Sequence, residues 1–572
     1  MEKLGKYLRP YWWFIALSMF IKFLGAAAEL TIPYLMEIIL DYKVPAGSRR
    51  EIYLYGGLML LCAVACLGFN VIANRMSAVS SGKITLSIRH DLFAKLTHFS
   101  PRQMDSLTTS SAVSRLTSDT YNINQLLART QRLGIRAPIL LLGGIAMMVS
   151  MDRLLSLVLV ALLPVIGIIV YFVTKASVPL YTKQQTVLDR VVGTVQENIT
   201  GIRVIKALSK TDYEKERFRK VNQELTDIDR KAGSVSAVTN PASTLVLNLG
   251  LTLVVVVGAY RVNGGAVRSG VIVAFLQYFT MILNAMLGIT RIFVIFSKGQ
   301  ASAKRVAAVL EEKEDLIVLP EAPKVPDAPH IEFQNVTFSY NGREPDLCNL
   351  SFSLGHGQTL GIIGATGSGK TTLLQLLLRL YDPDRGVILI DGQDIRSIPP
   401  EALRKKFGVV FQNDFVAEGT AGDNVRFFRP IGADAVAAAA KCAQADFLLE
   451  RSDGMDHPVR VRGNNLSGGQ KQRLLIARAL AANPEILILD DASSALDYAT
   501  DARLRQALGR TYSGTTTVVV AQRVSSLAHA DLILVLDGGH IIGSGTHEAL
   551  MESCPEYRSI AKTQMGCGKE GA

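Results

Sequence analysis

The stretch 359-TLGIIGATGSGKTTLLQLLLRL-380 decides the fold of the second half of this chain. It joins an aliphatic run that predicts a strand, a glycine-rich loop, and a leucine-rich run that predicts a helix. In this order the backbone N–H groups of the loop converge on phosphate oxygens at the helix N-terminus, which is the geometry of a nucleotide site. We expect Lys370 to reach the β and γ phosphates and Thr371 to ligate Mg²⁺, although the loop alone fits kinases, GTPases and ATPases alike. The residues predicted to hold the nucleotide here are Gly364, Ala365, Thr366, Gly367, Ser368, Gly369, Lys370, Thr371 and Thr372.

Composition indicates that the first half of the chain lies in a membrane. Of 572 residues, 49% are hydrophobic and only 19% are charged, which is less charge than globular enzymes usually carry. The first apolar stretch begins with the interfacial aromatic run YWWF and lacks a small-residue cleavage site, so it predicts a retained span and not a signal peptide. Six stretches have about the 20 apolar residues that cross a bilayer, and they lie near 12–40, 54–74, 133–151, 154–174, 242–263 and 271–297.

Positive charge is distributed unevenly among the connections between these stretches. Residues 75–136 contain nine Lys or Arg and residues 175–241 contain twelve, whereas the three short turns contain three, one and two. By the positive-inside rule the amino terminus and both long connections are cytoplasmic. The same excess accounts for the net charge of +11, so we expect no nucleic-acid partner. The predicted location is the cell (plasma or inner) membrane, as a multi-pass protein with residues after 300 in the cytoplasm.

The chain changes character after residue 300. The Pro-rich stretch VLPEAPKVPDAPH at 318–330 reads as a linker, and strand-like runs then alternate with helical segments. The predicted fold is therefore a multi-domain membrane protein, with a six-helix all-α transmembrane domain that continues into long cytoplasmic helices, followed by an α/β domain. We set the domains at 1–310 and 331–572, with 311–330 as the linker. The predicted strands are IEFQNVTFSY, TLGIIG, GVILIDG, FGVVFQ, ILILDD, TTVVVAQ and DLILVLDGGHII.

The stretch LSGGQKQRLLIARAL at 466–480 narrows the class of nucleotide-binding domain. It resembles the LSGGQ signature of the ABC transporter ATPase family, and the resemblance covers nearly all of 331–550. Tyr340 stands at the position of the family's adenine-stacking aromatic, and Gln412 in the loop that senses Mg²⁺ and contacts the transmembrane domain. The resemblance implies ATP and Mg²⁺ as cofactors, with Thr371, Gln412 and Asp490 as the metal ligands.

The signature also implies a dimer. At a helix N-terminus, its backbone suits the γ-phosphate of a nucleotide held by an opposing P-loop and not by its own. This chain has one such domain, so two chains must close face to face. The signature and the SALD run at 494–497 supply the remaining nucleotide contacts that the resemblance implies, which are Ser467, Gly468, Gly469, Gln470 and Asp497.

The membrane half resembles the exporter type of ABC half-transporter. Six spans with two long cytoplasmic connections precede a single ATPase domain, whereas importers place these parts on separate chains. Residues 197–208 (ENITGIRVIKAL) are similar to the family's E-N-x-x-G-x-R-V-I-K-A-F segment, and residues 110–120 (SSAVSRLTSDT) to its first coupling region. The partners implied are the lipid bilayer, a second half-transporter and an exported small molecule, lipid or peptide.

Three positions depart from the family pattern. Asp491 stands in place of the catalytic Glu, and Gln522 in place of the switch His that contacts the γ-phosphate. Aspartate is one methylene shorter than glutamate, and a Gln amide has no titratable proton. The retained Lys370 and Asp490 therefore predict a site that binds ATP and hydrolyses it poorly. Val461 replaces an acid that in the family contacts the coupling helices.

The predicted function is that of one subunit of a heterodimeric exporter, which supplies its signature to the catalytic site of its partner. A homodimeric exporter with slow hydrolysis is the alternative, and a membrane-tethered ABC regulator that does not transport is a third possibility. Lys22, Glu29 and Arg291 lie within apolar spans, where charge is costly unless it is paired or faces a cavity. Their roles, and the choice among drugs, lipids and peptides, stay open at this stage.

Overall fold

The computed structural model describes residues 5–320, 323, 325–412 and 415–565, which belong to two units. The helical unit comprises Met1–Thr97 and Thr109–Glu312. The α/β unit comprises His98–Thr108 and Lys313–Ala572. The chain therefore passes between the units three times, after residues 97, 108 and 312.

The helical unit contains the membrane spans. A helix satisfies its backbone N–H and C=O groups internally, which is why apolar segments of this length are helical in lipid. Six described helices are long and apolar enough to cross a membrane, within Gly5–Lys43, Arg49–Thr97, Thr109–Met151, Arg153–Thr200, Thr211–Asn263 and Ser269–Met286. The α-helices of this unit are α1 (Gly5–Leu8), α2 (Trp12–Ile38), α3 (Arg49–Thr97), α5 (Thr109–Ser114), α6 (Thr120–Met151), α7 (Arg153–Thr200), α8 (Ile202–Ala207), α9 (Thr211–Ala237), α10 (Thr239–Asn263) and α11 (Ser269–Glu311).

The six predicted spans are confirmed, and the long connections are helical as expected. Helix α3 continues to Thr97 and α7 to Thr200, far beyond the residues needed to cross a bilayer. The side chain of Arg291, whose role the sequence left open, lies outside the described part of α11.

A short segment of the first long connection, residues 98–108, belongs to the α/β unit. It holds helix α4 (Pro101–Leu107), which Ser100 and Gln103 close with a reciprocal capping box. The Tyr381 hydroxyl donates to Asp105 at 2.9 Å. This segment precedes the stretch 110–120 in which the coupling region was expected, and 110–120 itself lies in the helical unit.

The α/β unit contains all the predicted strands. The last predicted run is two strands joined by a turn at Gly538 and Gly539, and the strand Leu347–Leu354 was not predicted. The strands are β1 (Ile331–Phe338), β2 (Leu347–Leu354), β3 (Thr359–Gly364), β4 (Arg385–Ile390), β5 (Gln393–Asp394), β6 (Phe407–Val410), β7 (Gly419–Thr420), β8 (Pro458–Val459), β9 (Ile486–Asp490), β10 (Thr516–Val520), β11 (Leu532–Asp537) and β12 (His540–Gly545). The helices are α4, α12 (Lys370–Leu377), α13 (Pro400–Lys405), α14 (Ala421–Arg426), α15 (Ala433–Cys442), α16 (Asp446–Leu449), α17 (Gly468–Leu480), α18 (Tyr498–Thr511), α19 (His547–Ser553) and α20 (Pro555–Met565).

The larger sheet of this unit positions the candidate site. Its strand order is β12-β11-β3-β10-β9-β6, and all pairs are parallel except β11 with β12. Strands β10 and β9 pair in a register that sets Val520 opposite Asp490. The glycine-rich loop follows β3, which is the other neighbour of β10. The carboxyl ends of three strands therefore meet at one edge, where ligands bind in parallel sheets.

The smaller sheet, of order β2-β1-β4-β5, packs on the same core. Phe333, Leu360 and Leu373 from β1, β3 and α12 share one buried cluster, so both sheets and the helix after the loop enclose a single interior. The chain just before β1 is hydrogen-bonded to this unit at several described points. Ile317 accepts from the buried Arg379 at 2.7 Å, and the Leu319 N–H donates to the carbonyl of Arg396 at 2.9 Å.

Candidate nucleotide site

Two glycines at the junctions of the loop with β3 and α12 stand where a side chain would not fit. Gly369, the residue before α12, adopts φ +97°, a left-handed conformation that side chains disfavour. A Cβ atom on Gly369 would lie 2.5 Å from Leu347 Cδ2, and one on Gly364 would lie 2.1 Å from the Leu536 carbonyl oxygen. Glycine is therefore required at both positions for this loop to reach the amino terminus of α12.

Lys370 is held against the loop. Its ammonium group donates to the carbonyl oxygens of Gly364 at 2.9 Å and Ala365 at 2.7 Å. Burial lowers the pKa of Lys370, and the carboxylates of Asp490 and Asp491 oppose this shift. A third and longer bond, of 3.5 Å, reaches the Ser368 hydroxyl, so an anion in the adjoining cavity would take the place of the weakest of these three bonds.

One cavity of about 280 Å³ brings together the predicted groups from the loop, β9 and the segment after β10. Lys370, Gln412 and Asp490 line it together with the two departures from the family pattern, Asp491 and Gln522. Thr366, Gly367, Gly369, Thr371 and Thr372 also line it, and Asp346, Val520 and Ala521 complete its wall.

Asp346 is the charged lining residue that the sequence did not single out. It precedes β2, and its carboxylate accepts the Tyr340 N–H at 2.9 Å. Asp346 belongs to no sequence motif and precedes a strand that was not predicted. Its place in the cavity is therefore seen only in the fold.

Asp490 and Asp491 place two acids at the end of β9. Burial raises the pKa of Asp490, which is 3% exposed, and repulsion from Asp491 raises it further. Lys370 and the backbone N–H of Gln412 oppose that shift. Burial also raises the pKa of Asp491, while Arg523 and Lys370 favour its charged form.

Asp490, Asp491 and the oxygen-bearing side chains beside them in the cavity suit the binding of Mg²⁺. Burial and mutual repulsion disfavour the charged forms of these two carboxylates, so a cation bound beside them would stabilise both. The hydroxyl of Thr371 and the side chain of Gln412 line the same cavity, and hydroxyl, amide and carboxylate oxygens are ligands that Mg²⁺ takes. The donor set therefore fits a hard divalent cation held together with phosphate.

The two departures from the family pattern touch each other. The Gln522 amide donates to the Asp491 carboxylate at an Nε2 to Oδ2 distance of 3.4 Å. Asp491 itself has φ +52°, an uncommon backbone conformation for a residue with a side chain. Its N–H donates to the Val520 carbonyl at 2.9 Å, which fixes the acid at the end of the strand.

Tyr340 lies beside α12, outside the set of residues that line the cavity. Its hydroxyl bonds the side chains of Gln375 and Thr372, the latter at 3.3 Å. Its ring packs edge-on against Tyr381, with ring centroids 5.2 Å apart. The ring is thus held in place by neighbours while 36% of the residue stays exposed.

The signature residues also lie apart from the cavity that contains Lys370. Ser467 caps α17, and a capping box joins its side chain to Gln470. Ser467 and Gly468 are exposed, so the start of α17 faces away from the core. Asp497 has a similar local task, since its carboxylate caps α18 through Thr500 at 2.8 and 2.9 Å.

Comparisons with known proteins agree with this architecture. Residues 15–286 match the family described as the ABC transporter transmembrane region, and residues 347–494 match the family described as ABC transporter. The uncharacterized ABC transporter ATP-binding protein YfiB of Bacillus subtilis (strain 168) is 34% identical over 577 residues, with all of both chains covered. The uncharacterized ABC transporter ATP-binding protein Rv1273c of Mycobacterium tuberculosis (strain ATCC 25618 / H37Rv) is 32% identical over 578 residues, which cover 98% of this chain and 97% of that one.

A solved structure extends the likeness to the whole fold. The structure of a bacterial Atm1-family ABC exporter with ATP bound has a TM-score of 0.83 and 26% identity, with 99% of each chain covered. Fusion of a six-span helical unit to an α/β ATP-binding unit defines a multi-pass half-transporter of the exporter type, with its ATP-binding unit in the cytoplasm. The chain belongs to the ABC transporter family and is close to the Atm1-family exporters.

Proposed function

We propose that this chain is one half of a heterodimeric ATP-driven exporter whose own site binds ATP with Mg²⁺ and hydrolyses it slowly. Its intact signature completes a catalytic site on a second, different half-transporter. The observation that carries the proposal is the contact between Asp491 and Gln522, the two residues that replace the catalytic Glu and the switch His.

The contact explains why hydrolysis is slow. Aspartate reaches about 1.5 Å less far than glutamate, which is one carbon–carbon bond. Misplacement of a catalytic group by about 1 Å costs on the order of 100-fold in rate. The Gln522 amide further engages the Asp491 carboxylate, and it cannot act as an acid or a base.

The binding of ATP with Mg²⁺, by contrast, depends on groups that this site retains. Lys370 and the loop N–H groups neutralise phosphate, and Thr371 and Asp490 supply oxygen ligands for Mg²⁺. Mg²⁺ held by these residues would supply positive charge beside the phosphates. The exposed ring of Tyr340 offers a face on which adenine can stack.

Steady-state assays of the purified full-length chain test the first half of the proposal. We expect ATP·Mg²⁺ to bind and phosphate release to be slow, and Lys370→Ala to abolish binding as a control. Turnover of about 10 s⁻¹, the median for enzymes, by the chain alone would contradict the proposal and favour the homodimer.

Two substitutions, each co-expressed with the partner half-transporter, test the second half. Ser467→Arg should abolish ATPase activity, because it removes a preorganised contact worth roughly 3 kcal/mol to the transition state of the partner's site. Asp491→Asn should leave most of the activity, because it alters a site that turns over little. Equal loss in both variants would refute the degenerate site, since a homodimer depends on Asp491 at both of its sites.

A further inference from the structure

A second cavity, of about 590 Å³, lies within the helical unit between α2, α3 and α6. Its wall carries four basic side chains, Lys22, Arg129, Arg132 and Arg136, among amides and small residues. The lining residues that the structure describes include no carboxylate. This composition is unusual for a membrane span, where each charge is costly to bury.

Among the described residues, acids neutralise only one of these four cations. Glu29 pairs with Arg136 through two hydrogen bonds of 2.7 and 3.2 Å, which offsets one of the four charges. Lys22 is 5% exposed, and its ammonium donates to the neutral amide oxygens of Asn70 and Asn74 at 2.6 and 3.1 Å. Lys22 and Glu29, both in the first span, are therefore bound to other residues and not to each other.

The remaining arginines are likewise bound to neutral groups. Arg129 donates to Gln125 at 3.2 Å, and Arg132 donates to the Asn74 carbonyl at 3.3 Å. The buried Nε of Arg132 has no hydrogen-bond partner. Three positive charges thus face one cavity with amides and carbonyls as their only described partners, an arrangement that an anion would stabilise.

The Lys22 end of the cavity lies near the middle of the bilayer. Lys22 follows the interfacial Trp12 by ten residues, or about 15 Å of helix rise, in a hydrocarbon core about 30 Å thick. A smaller adjoining cavity of about 130 Å³ shares Leu133 and Arg136 and is also lined by Leu140 and Met281. Its polar lining residues are Asn284 and the ion pair of Glu29 with Arg136, and the others are apolar or glycine. The pair of cavities thus offers one end with unpaired cations and one end whose charges are paired.

We propose that these cavities bind an amphipathic organic anion as the transported substrate, with its anionic group among Lys22, Arg129 and Arg132 and its apolar part toward Leu140. The inference rests on the proposed exporter function only in stating that the bound molecule is then transported. Binding needs no ATP hydrolysis, so failure of the degenerate-site proposal would leave it intact.

The test uses the full-length chain in phosphatidylcholine nanodiscs and two dyes with the same xanthene body and opposite charge, 5-carboxyfluorescein and rhodamine 123. Fluorescence polarisation should show tighter binding of the anionic dye. Arg132→Gln should weaken that binding about tenfold, because it removes a charged hydrogen-bond donor, and Arg132→Lys should keep most of it. Arg75→Gln is the matched control, since Arg75 is exposed on α3 and does not line the cavity.

The outcomes separate the proposal from its rivals. Equal binding of both dyes, or unchanged anion binding by Arg132→Gln, would overturn it. Retained ATP binding by each variant shows that the chain is folded, and Lys22→Gln gives a second, independent reading. Competition by dihexanoyl phosphatidylglycerol, and not by dihexanoyl phosphatidylcholine, supports the proposal with a lipid as the source of the anion. Anion preference without such competition supports a soluble cytosolic source.

Discussion

At the scale of single residues, the two departures from the family pattern are in contact with each other. Asp491 and Gln522 lie 31 residues apart in sequence and meet because β9 and β10 are neighbours in a fixed register. Each departure was visible in the sequence once the family resemblance was known. Their contact was not, because strand order and register are properties of the sheet and not of either strand.

Restoring both residues should restore hydrolysis. We expect Asp491→Glu with Gln522→His to raise ATP hydrolysis of the isolated chain by about 100-fold, because the longer acid recovers the reach that the aspartate lacks. Phosphate release at saturating ATP measures this. Gln522→Asn, which keeps an amide and shortens it, is the matched control and should give no gain. An unchanged rate in the double variant would show that some other feature limits turnover.

Another residue-scale feature is His330, which is 1% exposed at the start of the α/β unit. Its Nδ1 bonds the Thr516 hydroxyl at 2.7 Å, and its ring stacks on His356 with centroids 4.0 Å apart. Burial lowers the pKa of His330, and the neighbouring charge of His356 lowers it further. The charged groups that also face this ring are Asp391, Lys406 and Glu485.

This lowered pKa predicts how stability depends on pH. The unfolded chain binds a proton at His330 near the ordinary pKa of 6.5, whereas the folded chain resists it. The contribution of His330 to the free energy of unfolding is therefore fully present above that pH. It is lost as the pH falls toward the lower pKa that this histidine has in the folded chain. Thermal unfolding between pH 7.5 and 5.5 should show a smaller loss of stability in His330→Gln than in the wild type. Equal slopes in both proteins would rule out this residue as the cause.

At the scale of elements, the membrane spans and the apolar strands were predicted from the sequence, whereas helix α4 and strand β2 were not. The six spans were predictable because length and apolar composition in a bilayer leave helix as the stable choice. Helix α4 has seven residues, and its contacts lie more than 200 positions along the chain, so no local pattern points to it. The same applies to Asp346, whose place in the cavity depends on the pairing of β1 and β2.

Helix α4 is linked to Tyr340 through Tyr381. The Tyr381 hydroxyl bonds Asp105 of α4, and its ring packs edge-on against Tyr340. Tyr381→Phe removes only the bond to an exposed carboxylate, so it should cost less than about 1 kcal/mol of stability and leave ATP affinity unchanged. Tyr381→Ala removes the ring as well and should weaken ATP binding several-fold by freeing Tyr340. Isothermal titration with ATP·Mg²⁺ compares them, and equal affinities would show that the ring packing has no role in binding.

At the scale of the whole molecule, topology follows from the charge pattern and the cytoplasmic ATP-binding unit. Single cysteines at Ser48 and Asn263, in a chain without its native thiols, should react with an impermeant reagent in intact cells. Cysteines at Ser118 and Thr211 should react only after the cells are opened, because the long connections are cytoplasmic. Labelling in the opposite sense would overturn this orientation.

The three passages of the chain between its units also limit how the gene can be divided. A single cut after residue 312 yields two polypeptides, but it does not yield the two units, because residues 98–108 remain with the first fragment. A soluble ATP-binding fragment that starts at residue 313 therefore lacks α4, and it leaves Tyr381 without its bond to Asp105. Because both halves are encoded in one reading frame, residues 98–108 and residues 313–572 are always made in equal amounts. Two separate genes would have to reach the same ratio by matched expression.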